Sequence, residues 1–260
     1  MKAIGVIPAR WGSTRFPGKM LTPICGAPLI CWVAQQARKA ASLSEVLVAT
    51  DDERIRRTVE RLGVEAVLTR SDLPSGTDRV AAAIEGREAD VVINVQGDEP
   101  LIDPALIDRL AAVLAGPGWE MSTAATPIED PAMLSNPGVV KVVWDERGAA
   151  LYFSRSLIPF VRDPGPPPPE PLHWRHLGIY GYRREFLGRL VATPPCALEL
   201  AEKLEQLRAL YLGARMAVVR TREKGIGVDT PGDVAYVENV IRASGVPDWV
   251  HRWQALHGTA

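Results

Sequence analysis

The sequence is poor in cysteine and contains no long apolar run. Its three cysteines, Cys25, Cys31 and Cys196, show no C-x-x-C spacing, which disfavours both a disulfide framework and a zinc site. No apolar segment approaches the roughly 18 residues that a membrane-spanning helix needs. The first residues, MKAIGVIPAR, lead directly into a strand-like segment rather than a signal peptide. We therefore expect a soluble, cytoplasmic protein with reduced cysteines and no membrane insertion.

Neither sign of charge dominates, which argues against a protein that binds nucleic acid with its whole surface. The 30 basic and 31 acidic residues give a formal net charge of −1. Acidic residues are nevertheless absent before Glu45, where the basic residues are Lys2, Arg10, Arg15, Lys19, Arg38 and Lys39. Three of these cations share one loop with glycine and proline, which favours a local anion site suited to a triphosphate.

The length of 260 residues and the hydrophobic content of 47% fit one large globular domain. Its first half alternates strand-like and helix-like segments, as βαβ units do, and the run VVINV suits a strand buried on both faces. We predict a doubly wound, mostly parallel α/β sheet. The expected strands are 3–8, 46–50, 65–68 and 90–95, and the expected helices are 28–41, 52–62, 77–85 and 104–114.

After residue 139 the pattern changes to an antiparallel hairpin, in which the turn DERG joins VVKVVW to AALYFS. Two strands alone are marginally stable, so we expect a β-ribbon and dimerisation or lid region over 139–182. Within it, the proline-rich segment 163–171 predicts an exposed, stiff loop. The remaining elements, within a single domain 1–260, are strands at 176–182 and 216–219, helices at 183–192, 197–211 and 231–241, and a packing helix in the tail 243–260.

The segment IPARWGSTRFPGK, residues 7–19, follows the first strand at the edge where open α/β sheets bind ligands. Its glycines permit close approach of a phosphate to the backbone, and its three cations can neutralise phosphate charge. It contains neither G-x-G-x-x-G nor G-x-x-x-x-G-K-[ST], so it is neither a dinucleotide fingerprint nor a Walker loop. On spacing alone, an ordinary loop with solvated Arg and Lys is an equal alternative.

Two aspartates are left over once the helix caps are assigned. In NVQGDEP, Asp98 is not needed as a cap because Asp103 already begins the next helix. In GVDTPGD, Asp229 is left over because the following residues, TPGD, complete a capping pattern by themselves. Carboxylates at the ends of two strands could hold one Mg²⁺ that carries a triphosphate, with turn or helix-dipole roles as the alternatives.

Three further segments carry weaker signals. SGTDR precedes a helix and is compatible with backbone contact to a nucleotide. HLGIYGY predicts a strand with a polar, aromatic face that suits a sugar acid, although core packing is the more ordinary role of such residues. LEQLR ordinarily forms a solvated helix face. The residues of interest in these segments are Ser75, Gly76, His176, Gly178, Tyr180, Tyr182, Glu205 and Gln206.

Together these motifs resemble the 3-deoxy-manno-octulosonate cytidylyltransferase family over nearly the whole chain, to about residue 242. Each block alone is weak, but their order is specific. Departures lie in the proline-rich loop, at Trp174 and in the tail beyond Ala243. The blocks that carry the resemblance are IPARWGSTRFPGK, VLVATDD, SGTDR, NVQGDEPLI, NPGVVKVV, ALYFSRSLIPF, RHLGIYGY, LEQLR and GVDTP.

The resemblance implies a nucleotide-diphospho-sugar transferase-like fold and a Mg²⁺-dependent homodimeric enzyme that serves lipopolysaccharide synthesis. Such an enzyme transfers CMP from CTP to the anomeric 2-hydroxyl of 3-deoxy-manno-octulosonate (Kdo) and releases pyrophosphate. The implied roles are catalysis by Arg15, Lys19 and Asp98; nucleotide binding by Pro8, Ala9, Arg10, Lys19, Ser75 and Gly76; sugar binding by Arg15, Gln96, His176, Tyr180, Glu205 and Gln206; and Mg²⁺ binding by Asp98 and Asp229.

Two alternatives stay open at this point. One is a cytidylyltransferase for a related acid sugar, either 8-amino-8-deoxy-Kdo or a sialic acid. Sialic-acid enzymes share a similar IPAR opening, but the blocks HLGIYGY and LEQLR favour Kdo over a sialic acid. The other is a catalytically silent nucleotide-binding module on the same fold, because a fold does not determine function. The presence of both Asp98 and Asp229 with the complete cationic loop argues against the silent module.

Overall fold

The computed structural model describes residues 1–12, 16–163, 165 and 170–258, which fall into two compact units. The N-terminal unit comprises Lys2–Ala89, Asn94–Asp108 and the chain from Gly225 on. The inserted unit comprises Asp90–Ile93 and Arg109–Lys224, together with the first residue. Among these described residues, no helix is long and apolar enough to cross a membrane.

Strands and helices alternate in the first half, as the sequence predicts. The strands are β1 (Ala3–Ala9), β2 (Pro23–Ile24), β3 (Ala27–Pro28), β4 (Leu43–Thr50), β5 (Glu65–Leu68), β6 (Val91–Asn94), β7 (Met121–Pro127), β8 (Lys141–Trp144), β9 (Ala150–Ser154), β10 (Trp174–Arg183) and β11 (Met216–Arg220). The helices are α1 (Leu29–Ala37), α2 (Glu53–Arg61), α3 (Gly76–Ala83), α4 (Pro104–Ala115), α5 (Arg184–Val191), α6 (Ala197–Glu202), α7 (Gln206–Tyr211), α8 (Pro231–Ser244) and α9 (Asp248–His257). Short 3-10 helices occupy Lys19–Leu21 and Pro131–Met133.

The N-terminal unit is built on parallel strands. β1 pairs with β4 and β4 pairs with β5, both in parallel register, which confirms the predicted parallel sheet. Beyond β6, the Val95 amide donates to the carbonyl oxygen of Val6 at 3.0 Å. Nearly every residue of β1 is buried, because apolar side chains leave the strand on both faces. The loops that follow β1 and β6 therefore start from a rigid base.

Within the N-terminal unit, the tail of the chain packs on α1 and on the turn between β2 and β3. The ring of Trp249 on α9 meets Trp32 on α1 edge to face, with centroids 4.8 Å apart. Gln254 Nε2 donates to the carbonyl oxygen of Cys25 at 3.1 Å, and the Cys25 amide donates to a Glu238 carboxylate oxygen at 2.6 Å. The predicted packing helix in the tail is confirmed, and it fixes the tight turn between β2 and β3.

The inserted unit is mixed. β7 pairs antiparallel with β10 and parallel with β11, while β8 and β9 form the predicted antiparallel ribbon. β7 is missing from the predicted elements because its sequence, MSTAATP, consists mostly of small residues after Met121 and shows no apolar alternation to signal a strand. The predicted proline-rich loop 163–171 lies largely outside the described residues.

One predicted helix is wrong. The segment 197–211 forms two short helices, α6 and α7, rather than one, because Lys203 adopts a left-handed conformation with φ 54°. The carboxylate of Glu202, at the end of α6, accepts from the Ser154 hydroxyl at 2.7 Å and from the Arg155 amide at 3.0 Å. These contacts with the end of β9 accompany the break, which places Glu205 and Gln206 at the start of the second helix.

Candidate active site

A cavity of about 350 Å³ opens in the N-terminal unit where β1 and β6 end. Residues from four separate stretches of the chain line it, and all of them belong to this unit. Ala9 is buried at the end of β1 and does not line the cavity. Predicted site residues in its walls are Pro8, Arg10, Lys19, Ser75, Gly76, Gln96, Asp98 and Asp229.

Lys19 joins the two leftover aspartates. Its ammonium donates to Asp98 Oδ2 at 2.7 Å, to Asp229 Oδ1 at 3.2 Å and to the carbonyl oxygen of Val228 at 3.1 Å. Only 8% of Lys19 is exposed, whereas the Asp98 and Asp229 side chains are 30% and 46% exposed. Two carboxylates from distant parts of the chain thus flank one buried cation, and both retain faces open to the cavity.

The backbone holds these carboxylates in place. The Val228 amide donates to the carbonyl oxygen of Asp98 at 2.9 Å, so the two aspartate-bearing loops are tied together directly. A Cβ atom on Gly97 would lie 2.8 Å from the carbonyl oxygen of Pro8, closer than real Cβ atoms approach. Only glycine at this position lets the loop after β6 pass so close to the end of β1.

Helix capping leaves both aspartates available, as the sequence predicts. Asp103 Oδ1 accepts from the Ala105 amide at 3.0 Å at the start of α4. Asp233 Oδ2 accepts from the amides of Asp229 and Thr230 at 2.9 and 2.7 Å. Burial opposes ionisation of Asp233, but these hydrogen bonds outweigh it and lower the pKa of the carboxyl. The start of α8 is therefore closed by a capping box of Thr230 and an ionised Asp233, and the Asp229 carboxylate points to Lys19.

The opposite wall begins at the N-terminus of α3. Ser75 caps this helix, since its Oγ accepts from the Asp78 amide at 3.1 Å while its hydroxyl donates to Asp78 Oδ2 at 2.6 Å. A Cβ atom on Gly76 would meet only Pro8, at an ordinary 3.6 Å. The fold therefore does not require glycine at residue 76, and its missing side chain leaves the cavity side of the helix start open to a ligand.

A buried ion pair near this wall escaped the sequence analysis. Arg79, only 3% exposed, donates to Asp51 Oδ2 at 3.0 Å, and Asp51 Oδ1 accepts from the Trp11 amide at 3.0 Å. The guanidinium of Arg54 stacks on the Trp11 ring, 3.4 Å from its centroid. These contacts fix the chain just after Arg10. Arg15, predicted to bind phosphate and sugar, lies outside the described residues.

The other predicted sugar-binding residues fall in the inserted unit, except Gln96, whose Nε2 donates to Asn94 Oδ1 at 3.4 Å. The rings of His176 and Tyr180 on β10 lie 5.4 Å apart, and Tyr182 continues the row at 6.1 Å from Tyr180 but is buried in the core. The register with β7 shifts between Leu177 and Tyr180, yet His176, Tyr180 and Tyr182 still form one row, as predicted for one face of the strand.

Two rings of this row, those of His176 and Tyr180, are neutral. Burial, followed by the charge of Arg175, lowers the pKa of His176 to about 3. Burial also raises the pKa of Tyr180, with Tyr182 and Glu205 adding to the effect. Gln206 is buried, so its side chain does not lie on a solvated helix face. His176 and Tyr180 are thus two neighbouring neutral hydrogen-bonding groups, and Glu205 lies close enough to act on Tyr180.

The mixed, mostly parallel sheet with flanking helices, and a cavity that combines a helix N-terminus with a lysine-bridged aspartate pair, define an α/β protein of the nucleotide-sugar transferase type. The chain belongs to the cytidylyltransferase family: the family model described as Cytidylyltransferase matches residues 4–218.

Curated relatives are similar over most of their length. A 3-deoxy-manno-octulosonate cytidylyltransferase of Pseudomonas fluorescens is 51% identical, covering 92% of this chain and 97% of the relative. One of Bdellovibrio bacteriovorus is 49% identical, covering 95% of this chain and all of the relative. The chain is therefore similar along nearly its full length to enzymes of one named activity.

Two solved structures are similar in fold. One is a CMP:2-keto-3-deoxy-manno-octonic acid synthetase complexed with CTP, with a TM-score of 0.89 and 40% identity over 94% of this chain and all of the other. The second, a cytidylyltransferase from Leptospira borgpetersenii, has a TM-score of 0.62 and 18% identity over 94% of this chain and 87% of the other. At that identity the second structure supports the fold alone.

Proposed function

We propose that this protein transfers CMP from CTP to the anomeric 2-hydroxyl of Kdo, releases pyrophosphate and supplies CMP-Kdo for lipopolysaccharide synthesis. The named relatives support the activity. The single structural observation that carries the proposal is the Asp98–Lys19–Asp229 cluster in the cavity beside the start of α3. It supplies acidic groups and a cation where a nucleoside triphosphate fits.

The donor atoms at this cluster fit Mg²⁺. Two carboxylates offer the hard oxygen ligands that Mg²⁺ prefers, and the buried Lys19 ammonium that pairs with both supports a cation site beside them. Among the described residues, no group of three or more His, Cys, Asp or Glu side chains gathers as a metal site. Mg²⁺ is commonly held by one or two carboxylates together with substrate phosphates, which matches this pair.

Asp98 and Asp229 would hold the ion, whose contribution is to neutralise the triphosphate and the departing pyrophosphate. Lys19 and Arg10 face the same cavity and are placed to bind phosphate oxygens, and we assign the same role to Arg15. Removing negative charge from the α-phosphate lets a sugar oxygen approach the phosphorus atom.

Direct displacement is the expected chemistry. The 2-hydroxyl oxygen forms a bond to the α-phosphorus and gives its proton to solvent. The bond from that phosphorus to the oxygen that bridges it to the β-phosphorus breaks, and pyrophosphate leaves with this oxygen. Ser75 is the only residue with a hydroxyl or thiol among those described as lining the cavity, and its hydroxyl is already bonded to Asp78. A covalent enzyme intermediate is therefore not expected, and positioning and electrostatics provide the acceleration.

The neutral groups of His176 and Tyr180 suit the hydroxyls of a sugar acid, while the sugar carboxylate requires a cation, the role given to Arg15. Gln96, Glu205 and Gln206 complete the proposed sugar-binding set. This assignment predicts that changes at His176 affect the Michaelis constant for the sugar and leave the constant for CTP nearly unchanged.

A pyrophosphate-release assay with CTP, Mg²⁺ and each of Kdo, 8-amino-8-deoxy-Kdo and a sialic acid tests the proposal. The expected order of kcat/KM has Kdo first. If another acid sugar gives the highest kcat/KM, that sugar and not Kdo is the substrate. If the protein binds CTP but forms no product from any of the three sugars, the silent nucleotide-binding module is supported.

We also propose a homodimer formed through the ribbon. Four large apolar side chains described in the ribbon region are exposed, namely Leu151 on β9 at 61%, Phe160 at 78%, Val161 at 41% and Leu172 at 43%. Exposed apolar side chains in one region are typical of a subunit interface. A cytoplasmic location agrees with the use of CTP and stays a prediction.

A further inference from the structure

A buried threonine on the neighbouring strand contacts the predicted sugar-binding histidine. Thr123 on β7 is completely buried, and its Oγ1 lies 2.9 Å from His176 Nε2 on β10. The same oxygen lies 2.8 Å from the carbonyl oxygen of Ile179 and 3.3 Å from that of Leu177. Both carbonyls belong to the part of β10 where the register with β7 is irregular. The irregular strand thus directs two acceptors toward one hydroxyl.

The three contacts of the Thr123 hydroxyl favour one position for the proton on His176. Carbonyl oxygens only accept, so the single hydroxyl hydrogen of Thr123 is directed to Ile179, the nearer carbonyl. The remaining lone pairs of Oγ1 can then only accept from Nε2. The ring of His176 is neutral, with a pKa of about 3, so a hydrogen on Nε2 leaves Nδ1 as a bare acceptor.

Nδ1 is available to a ligand. The described residues form no hydrogen bond to this nitrogen. Among their buried side-chain nitrogen and oxygen atoms, only Ser42 Oγ lacks a partner, so Nδ1 of His176 is not fully buried. The rings of Phe153 and Tyr180 lie beside the imidazole, at 4.9 and 5.4 Å between centroids. A bare ring nitrogen accepts from a hydroxyl and cannot donate to a carboxylate.

We propose that Thr123 is a positioning residue that fixes His176 as the Nε2–H tautomer, so that Nδ1 accepts a hydrogen bond from a hydroxyl of the sugar acid. The part that concerns the sugar rests on the proposed function, whereas the tautomer does not. Thr123 itself is buried and touches no substrate; it acts through the ring of His176.

Nitrogen-15 NMR of the histidine-labelled full chain reads the tautomer directly. The His176 signals are assigned by their loss in His176→Gln. Wild-type protein near pH 7 is expected to show a protonated Nε2 and an unprotonated Nδ1. A protonated Nδ1 with a bare Nε2, or a charged ring, would overturn the proposal, and this measurement requires no variant of Thr123.

Kinetics test the consequence. Thr123→Val keeps the side-chain shape without the hydroxyl, and it is expected to shift the tautomer populations and to raise KM for Kdo about three- to tenfold, the loss of one ordinary hydrogen bond. KM for CTP should stay within about twofold. Thr123→Ser restores the hydroxyl and should recover most of the affinity. Thr126→Val, another buried threonine on β7, is the control for burying a valine in this strand.

The two levels of failure are distinguishable. If the wild type does not turn over Kdo but the Nε2–H tautomer is present, the proposed function fails and the role of Thr123 in setting the tautomer stands. If the wild type turns over Kdo, and Thr123→Val changes neither the tautomer nor KM for Kdo, the positioning role is wrong and the proposed function is unaffected.

Discussion

The ammonium of Lys19 lies 2.7 Å from Asp98 Oδ2, although 79 residues separate them in the chain. The same ammonium reaches Asp229, so one buried cation balances two carboxylates. A buried ion pair with one partner removed leaves an uncompensated charge, which is strongly unfavourable. The cluster therefore serves the structure as well as the proposed chemistry, and substitutions in it need measurements of both.

Asp98→Ala is expected to abolish useful turnover, with kcat lowered about a thousandfold or more, because it removes one of the two proposed Mg²⁺ ligands. Pyrophosphate release measures the loss, and circular dichroism verifies that the fold is retained. Asp72→Ala, an exposed aspartate of the same unit that pairs with Arg70, is the matched control. Near-normal formation of CMP-Kdo by the Asp98 variant would remove the metal assignment.

Lys19→Gln is expected to lower turnover strongly. In the absence of nucleotide it should raise the affinity for a divalent cation roughly tenfold, because the ammonium that competes for the two carboxylates is removed. Binding of Mn²⁺, followed by electron paramagnetic resonance, measures this without relying on activity. Lys39→Gln, an exposed lysine bonded to Gln36, is the control. Unchanged or weaker Mn²⁺ binding would contradict the idea that Lys19 and the metal share the same carboxylates.

The stability of the protein is expected to depend on His176 at acid pH. Its pKa is about 3 in the folded protein and about 6.5 in an unfolded chain, so between these values the unfolded state binds the extra proton. The neutral ring makes its full contribution to stability at pH values above the pKa of the unfolded chain. This contribution is lost as the pH falls toward 3. From pH 8 to pH 5 the loss is on the order of 2 kcal/mol.

Urea unfolding at both pH values, for wild type and for His176→Gln, measures this contribution by difference, since other groups titrate equally in both. The pH dependence of the variant should be shallower by that amount. His251→Gln, at an exposed position on α9, should follow the wild type. Equal pH dependence in wild type and His176→Gln would contradict the depressed pKa.

Gly97→Ala is expected to destabilise the protein by about 1–3 kcal/mol, the usual cost of overpacking, because the new Cβ would lie against the carbonyl oxygen of Pro8. It should also reduce turnover by displacing the adjacent Asp98. Gly188→Ala on α5, where a Cβ meets nothing within 4 Å, should instead raise stability by roughly 0.5–1 kcal/mol. Thermal unfolding compares the two, and equal effects would show that the close approach at Gly97 is unimportant.

Leu151→Glu is expected to weaken the proposed homodimer at least tenfold, because it places a charge at an apolar interface. Light scattering during gel filtration over a concentration series measures the association. Leu256→Glu on α9, a leucine outside the ribbon region that is more exposed than Leu151, is the control. A monomeric wild type at the highest concentration would contradict the dimer.

Parts of the fold and of the site could be predicted because their signals are local. The apolar runs of β1 and β4 identify buried strands, and the caps at Asp103 and Asp233 are made with amides only a few residues away. Assigning these caps is what left Asp98 and Asp229 as candidates. The sequence did not predict β7, because its mostly small residues give no strand signal. Its pairing with β10 and β11 nevertheless organises the inserted unit.

The sequence by itself determined the order of strands and helices in the first half of the chain, the helix caps and the family to which the chain belongs. Only the tertiary structure decided that Asp98 and Asp229 share Lys19, that Arg79 pairs with Asp51, and that Thr123 stands behind His176. The physical reason is range. Periodicity and capping depend on neighbours within one or two turns, whereas these contacts join residues 28 to 210 positions apart, which only the packed fold brings together.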